Sequence, residues 1–130
     1  ENCKESYEAP AEVIKDIKRT LGSLAESYIP GPDEKEIEED IKEFNTGKMK
    51  LFRGKGCEKC NSTGYSGRIG IFEVLDMSEK ISKLVLERRP ASEIELTAVK
   101  DGMVTLVQDG YLKVLEGITT IEEVMRVAKE

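Results

Sequence analysis

The side chains with the most chemistry to offer in this 130-residue chain are three cysteines, Cys3, Cys57 and Cys60. Cys57-Glu58-Lys59-Cys60 stands in a turn-rich run from Arg53 to Gly67 that holds four glycines, Gly54, Gly56, Gly64 and Gly67. A Cys-x-x-Cys turn lets two thiolates converge on one ion while neighbouring backbone amides turn toward the sulfurs. Zinc then takes two more ligands of similar softness to complete a tetrahedron. Cys3 is the candidate third ligand. The expected fourth is a cysteine immediately before Glu1, because Glu1 and Asn2 would then be the spacers of a second Cys-x-x-Cys. The residues alone leave two other readings open. Cys57 and Cys60 also suit a redox dithiol, and Cys3 also suits a stray thiol at a terminus.

Composition removes several classes. Histidine is absent, so no Ser-His, Cys-His or His-metal arrangement exists and the commonest general base near neutral pH is missing. An odd cysteine count without a visible signal peptide argues against a disulfide framework and favours the cytosol. The net charge of −6 argues against a nucleic-acid partner. No window approaches the roughly 18 apolar residues that span a bilayer. A phosphate-cradling loop needs Gly, four spacers and Gly-Lys-Ser/Thr. The two Gly-Lys pairs, Gly47-Lys48 and Gly54-Lys55, are followed by Met49 and Gly56, so neither qualifies.

The elements that must position the cysteines are short. Val13, Ile14, Ile17, Leu21 and Leu24 recur at helical spacing after Pro10. Ile29 to Pro32 breaks that pattern, and Asp33 opens an acidic helix through Ile37, Ile41 and Phe44. Its carboxylates (Glu34, Glu36, Glu38, Glu39 and Asp40) read as a solvated face, since the order of a calcium loop is missing. Met49 to Phe52 reads as a strand, and Arg68 to Leu75 as a second one. A train of helices follows. Ser78 caps Glu79 to Glu87, Pro90 opens a helix through Val99 that leaves at Gly102, and Thr105 to Glu116 ends at Gly117. Thr119 and Thr120 stand at capping-box spacing before Glu122 and Glu123, opening a last helix to Lys129.

The run Arg53-Gly54-Lys55-Gly56-Cys57-Glu58-Lys59-Cys60-Asn61-Ser62-Thr63-Gly64-Tyr65-Ser66-Gly67-Arg68-Ile69-Gly70-Ile71-Phe72-Glu73-Val74-Leu75 resembles the hallmark segment of type II secretion and type IV pilus assembly ATPases. Gly102-Met103, Thr105-Leu106, Asp109-Gly110, Lys113-Val114, Gly117 and Thr119 to Val124 are similar to the end of the same proteins. Cys3 to Tyr7 resembles the second half of that family's first cysteine pair, whereas Pro10 to Lys50 matches only loosely. The resemblance implies an α+β fold: a small zinc-knuckle subdomain with a β-hairpin and flanking helices, followed by a C-terminal helical bundle. It implies a tetracysteine zinc subdomain plus a strand returning to the ATPase core over 1–76, and a helical domain over 77–130. The metal ligands would be Cys3, Cys57 and Cys60. The parent would be a hexamer, cytoplasmic and peripheral to the inner membrane, meeting an inner-membrane platform protein and using ATP and Mg²⁺. Lacking the phosphate loop, this chain is expected not to hydrolyse ATP alone, and no catalytic residue is assigned.

Two rival functions follow from the same cysteines. One is a free-standing zinc-knuckle interaction module, chaperone-like in its Cys57 to Gly67 run although chaperone zinc domains carry several such repeats. The other is a small dithiol redox protein, disfavoured because the strand-then-helix setting of a thioredoxin motif is missing. Of the remaining residues, Arg68 reads as a structural anchor before a trans-acting arginine. Glu73 is expected to pair with Arg68 or Lys55. Asp109-Gly110 reads as a packing or kink site. Lys48, Lys50, Arg53 and Lys55 form a basic cluster for which local solvation is preferred over anionic lipid.

Overall fold

A computed structural model describes residues 3–22, 24 and 49–128. The expected acidic helix from Asp33 to Phe44, Lys48 and the residues before Cys3 lie outside the described residues. Strand β1 (Lys4–Glu8) leads to helix α1 (Ala11–Leu21) and strand β2 (Lys50–Gly54). A 3-10 turn (Glu58–Cys60) precedes α2 (Glu79–Leu86), α3 (Ala91–Lys100), α4 (Leu106–Leu115) and α5 (Ile121–Ala128). Two antiparallel strands with five helices among the described residues make the chain α+β, as the resemblance implied.

The strands pair in the register Lys4 with Gly54 through Glu8 with Lys50. Side chains alternate across the sheet, so Tyr7 and Leu51 stand opposite each other, Leu51 buried in the core. Two residues along on the same face, Glu5 accepts from Arg53 Nε at 2.8 Å and pairs with Lys55 Nζ at 2.6 Å. Two members of the basic cluster are therefore neutralised locally. Lys55 first, then Arg53, holds the Glu5 carboxyl below its ordinary pKa.

The core is shared by β1, β2, α1, α4 and α5. Ile14, Ile17 and Leu21 from α1 meet Met49 and Leu51 beside β2, Tyr111 and Val114 from α4, and Val124 from α5. The apolar spacing of α1 thus marks its buried face. Gln108 ties two of these helices, its Nε2 donating to the carbonyl of Thr20 at 3.0 Å and so occupying an end carbonyl of α1. Helices α2 and α3 pack on each other through Ile81 and Ala98.

The helix starts lie where their caps predict. Ser78 Oγ accepts from Ile81 N at 3.3 Å, and Thr105 Oγ1 accepts from Gln108 N at 3.3 Å while Gln108 Oε1 accepts from Thr105 N at 2.9 Å. The expected capping residue of α5 is Thr120, whose Oγ1 accepts from Glu123 N at 3.4 Å.

Two expectations require correction. The run Arg68 to Leu75 is not a strand of the sheet: β2 pairs with β1, and 68–75 pairs with no strand among the described residues. A strand exists only where a second backbone answers its amides, and here those groups turn elsewhere. Phe72 N donates to Asp109 Oδ2 at 2.8 Å. Glu73 does not pair with Arg68 or Lys55 either; its Oε2 accepts from Leu106 N at 2.9 Å, placing a carboxylate at the N-terminus of α4 where the helix dipole favours it. Ile69, Phe72, Val74, Leu75 and Met77 are left exposed.

Candidate metal centre

The sheet brings the chain's beginning to its central loop. Cys3 immediately precedes β1, β2 ends three residues before Cys57, and Lys55 N donates to Cys3 O at 2.9 Å. The loop then folds on itself. Gly54 and Gly64 lie backbone to backbone: a Cβ on Gly64 would fall 2.8 Å from Gly54 O, so neither position has room for a side chain. Gly64 also adopts a φ of 81°, in the left-handed region that glycine enters without a steric penalty.

This folding puts the three thiols in one place. Cys57 Sγ is 3.6 Å from Cys60 Sγ, Cys3 Sγ is 3.9 Å from Cys60 Sγ, and all three sulfurs lie within 4.8 Å of one another. A disulfide has its sulfurs at about 2.05 Å, so these are separate thiols. Four sulfurs at 2.3 Å around tetrahedral zinc would stand about 3.8 Å apart. The observed spacings match that edge, and the donors are of the soft type that zinc accepts.

The backbone prepares the sulfurs for a cation. Cys57 N donates to Cys60 Sγ at 3.1 Å and Gly64 N donates to it at 3.3 Å, the turning of amides expected of the Cys-x-x-Cys loop. Burial raises the Cys60 thiol pKa, but these two amides and the hydrogen bonds from Cys57 and Cys3 outweigh it and bring the thiol down to about 7. Cys3 moves the other way: partial desolvation pushes it up, against the amide of Gly56, and the other two thiols add to the rise. Cys60 is therefore readier to ionise than Cys3, and a cation at the centre of the three would draw the remaining protons off.

A groove of about 930 Å³ opens beside the thiols, between the loop at 64–71 and the start of α5. Lys4, Arg53, Lys59, Arg68 and Arg126 stand along it against the single carboxylate of Glu123. Of these, Arg53 is already engaged by Glu5 and Arg126 by Glu123. Arg68 is exposed and makes no hydrogen bond or ion pair among the described residues, so its anchoring role is not seen here. Sequence reasoning missed the hydroxyl pair Tyr65 and Thr120, 2.8 Å apart across this groove. Nothing local links residues 55 positions apart, although the capping pattern had already marked Thr120.

Residues 10–126 match the family described as Type II/IV secretion system protein, and the chain belongs to that family. It is 45% identical over 125 residues to the type IV pilus assembly ATPase PilB of Thermus thermophilus, covering 96% of this chain and 12% of that protein. It is 37% identical over 118 residues to the PilB of Pseudomonas aeruginosa, covering 91% and 21%. Against the type II secretion system ATPase E of Vibrio cholerae it is 38% identical over 119 residues, covering 85% and 24%. The chain thus spans between an eighth and a quarter of the length of these relatives. No helix among the described residues is long and apolar enough to cross a membrane.

Proposed function

We propose that the chain is the metal-binding, C-terminal part of a hexameric ATPase that drives type II secretion or type IV pilus assembly at the cytoplasmic face of the inner membrane. In this reading Cys3, Cys57 and Cys60 hold zinc, with a fourth thiolate contributed at Cys-x-x-Cys spacing before Cys3. The ion ties the chain's beginning to the loop after β2, a role for which closed four-coordinate sites are suited. ATP and Mg²⁺ bind to the rest of the longer protein. Residues 1–76 form the zinc subdomain with its return segment, and 77–130 form a helical domain toward a platform protein.

The observation that carries the reading is the meeting of three thiols at zinc-like spacing although 57 residues separate Cys3 from Cys60. The exposed apolar side chains of Ile69, Phe72, Val74 and Leu75 support it from another side. An exposed, apolar and β-branched run is suited to join a sheet that a longer chain supplies.

The test is made in cells on the full-length protein carrying this segment. Cys57→Ser with Cys60→Ser is expected to abolish pilus assembly or secretion, with the protein's zinc content falling in parallel. Normal assembly and secretion by a stably expressed, zinc-free double variant would refute the proposal.

A further inference from the structure

The thiol cluster and the last helix are joined by a short run of contacts that begins at a sulfur and ends at a helix cap. Gly64 N donates to Cys60 Sγ at 3.3 Å. Thr63 Oγ1 donates to Cys60 O at 2.6 Å and accepts from Tyr65 N at 3.3 Å, which fixes the direction in which Tyr65 leaves the turn. Tyr65 then reaches across the groove, its hydroxyl 2.8 Å from Thr120 Oγ1. Thr120 is only 6% exposed, and the same oxygen accepts from Glu123 N in the first turn of α5. A hydroxyl has one proton and two acceptor sites, so Thr120 can serve both partners.

Tyr65 itself is 44% exposed, so the bond at its tip, more than burial of its ring, holds it in place. Helix α5 has eight residues, too few to be stable by itself in water. Its order therefore depends on its buried Val124 and on its cap. A second contact lies beside the first: a Cβ on Gly117, in the turn between α4 and α5, would fall 2.5 Å from Phe52 Cδ2 of β2. The elements that carry the thiols thus meet the turn before α5 at two of its residues, Gly117 and Thr120.

We propose that Tyr65 is a positioning residue through which occupancy of the Cys3, Cys57 and Cys60 cluster sets the order of helix α5. The inference rests on the metal reading given above. An ion holds the sulfur of Cys60, and with it the turn from Cys60 to Tyr65, in one arrangement. Without the ion the three sulfurs have only weak contacts to one another, the turn relaxes, and the tyrosine hydroxyl leaves Thr120. The amides of the first turn of α5 then exchange with solvent more freely. Linkage makes the effect reciprocal: loss of the Tyr65 hydroxyl lowers metal affinity by the factor by which the metal orders α5.

The experiment is hydrogen exchange across residues 121–124 of the full-length protein carrying this segment, with and without zinc, with bound zinc per chain counted on the same samples. In the unaltered protein, zinc removal is expected to speed exchange there about fivefold, the worth of one ordinary hydrogen bond. Tyr65→Phe is expected to exchange at the faster rate with zinc still bound, and to change no further when it is removed. Thr120→Ser keeps the hydroxyl and is expected to respond as the unaltered protein does. One zinc per chain with no response at 121–124, or a full response in Tyr65→Phe, overturns the relay and leaves the metal reading standing. Absence of bound zinc overturns both, and the zinc count tells the two failures apart.

Discussion

Gly110 in α4 packs against Val124 in α5 so closely that a Cβ on Gly110 would lie 2.5 Å from Val124 Cγ1. The glycine sits inside a helix, where it costs stability through backbone entropy, and the contact explains its presence. Gly110→Ala is expected to destabilise the chain by about 1–3 kcal/mol through overpacking. Val124→Ala in the same chain should recover part of that loss, because the two changes share one contact. Urea denaturation of the single and double variants checks this, and additive effects would count against it.

How much of this was legible in the sequence depends on how local each feature is. Ser78, Thr105 and Thr120 announce their helices because a cap is decided within four residues. The Asp109-Gly110 pair read as a packing or kink site, and the contact of Gly110 with Val124 is of the packing kind. Strand β1, Lys-Glu-Ser-Tyr-Glu, was not foreseen: its sequence is polar, and what makes it a strand is β2, whose Lys50 is 42 positions beyond Glu8. The run Arg68 to Leu75 fails in the opposite sense, apolar and β-branched but without a partner strand among the described residues. Cys57 and Cys60 were legible as a pair from spacing alone. That Cys3 joins them follows from the β1–β2 register, which no short window contains. The capping role of Glu73 was hidden for the same reason, since Leu106 lies 33 residues away.

The phenol of Tyr111 sets an alkaline limit on stability. Tyr111 is buried and donates to Asp16 Oδ2 at 2.8 Å. Burial first, then the hydrogen bond and charge of Asp16, push its pKa up to about 12. The fold therefore favours the protonated form, and this contribution is complete below the ordinary tyrosine value of about 10 and lost as the pH rises through about 12. Tyr111→Phe is expected to cost about 1 kcal/mol at neutral pH and to flatten that alkaline decline. Thermal melts from pH 7 to 11 provide the comparison; an undiminished decline in the variant would assign it to other groups.

The exposed apolar segment makes a prediction of small effect. Phe72 and Val74 are 66% and 74% exposed, so their side chains contribute little to the fold described here. Phe72→Ser and Val74→Ser are expected to change the stability of the 130-residue chain by less than about 0.5 kcal/mol. The same changes in the full-length protein should destabilise it measurably if the segment joins a larger sheet. Equal effects in both would argue that it does not.

The account stands on the three sulfurs acting together, and metal titration of the full-length protein carrying this segment tests that most directly. With cobalt as a spectroscopic stand-in for zinc, one ion per chain is expected, with a thiolate-to-metal charge-transfer band. Cys3→Ser is expected to weaken binding by at least the roughly 10–100-fold that loss of even an outer-shell partner costs. Binding of equal strength and an identical spectrum in Cys3→Ser would contradict the account, because the two ends of this fold would then not be joined by a metal.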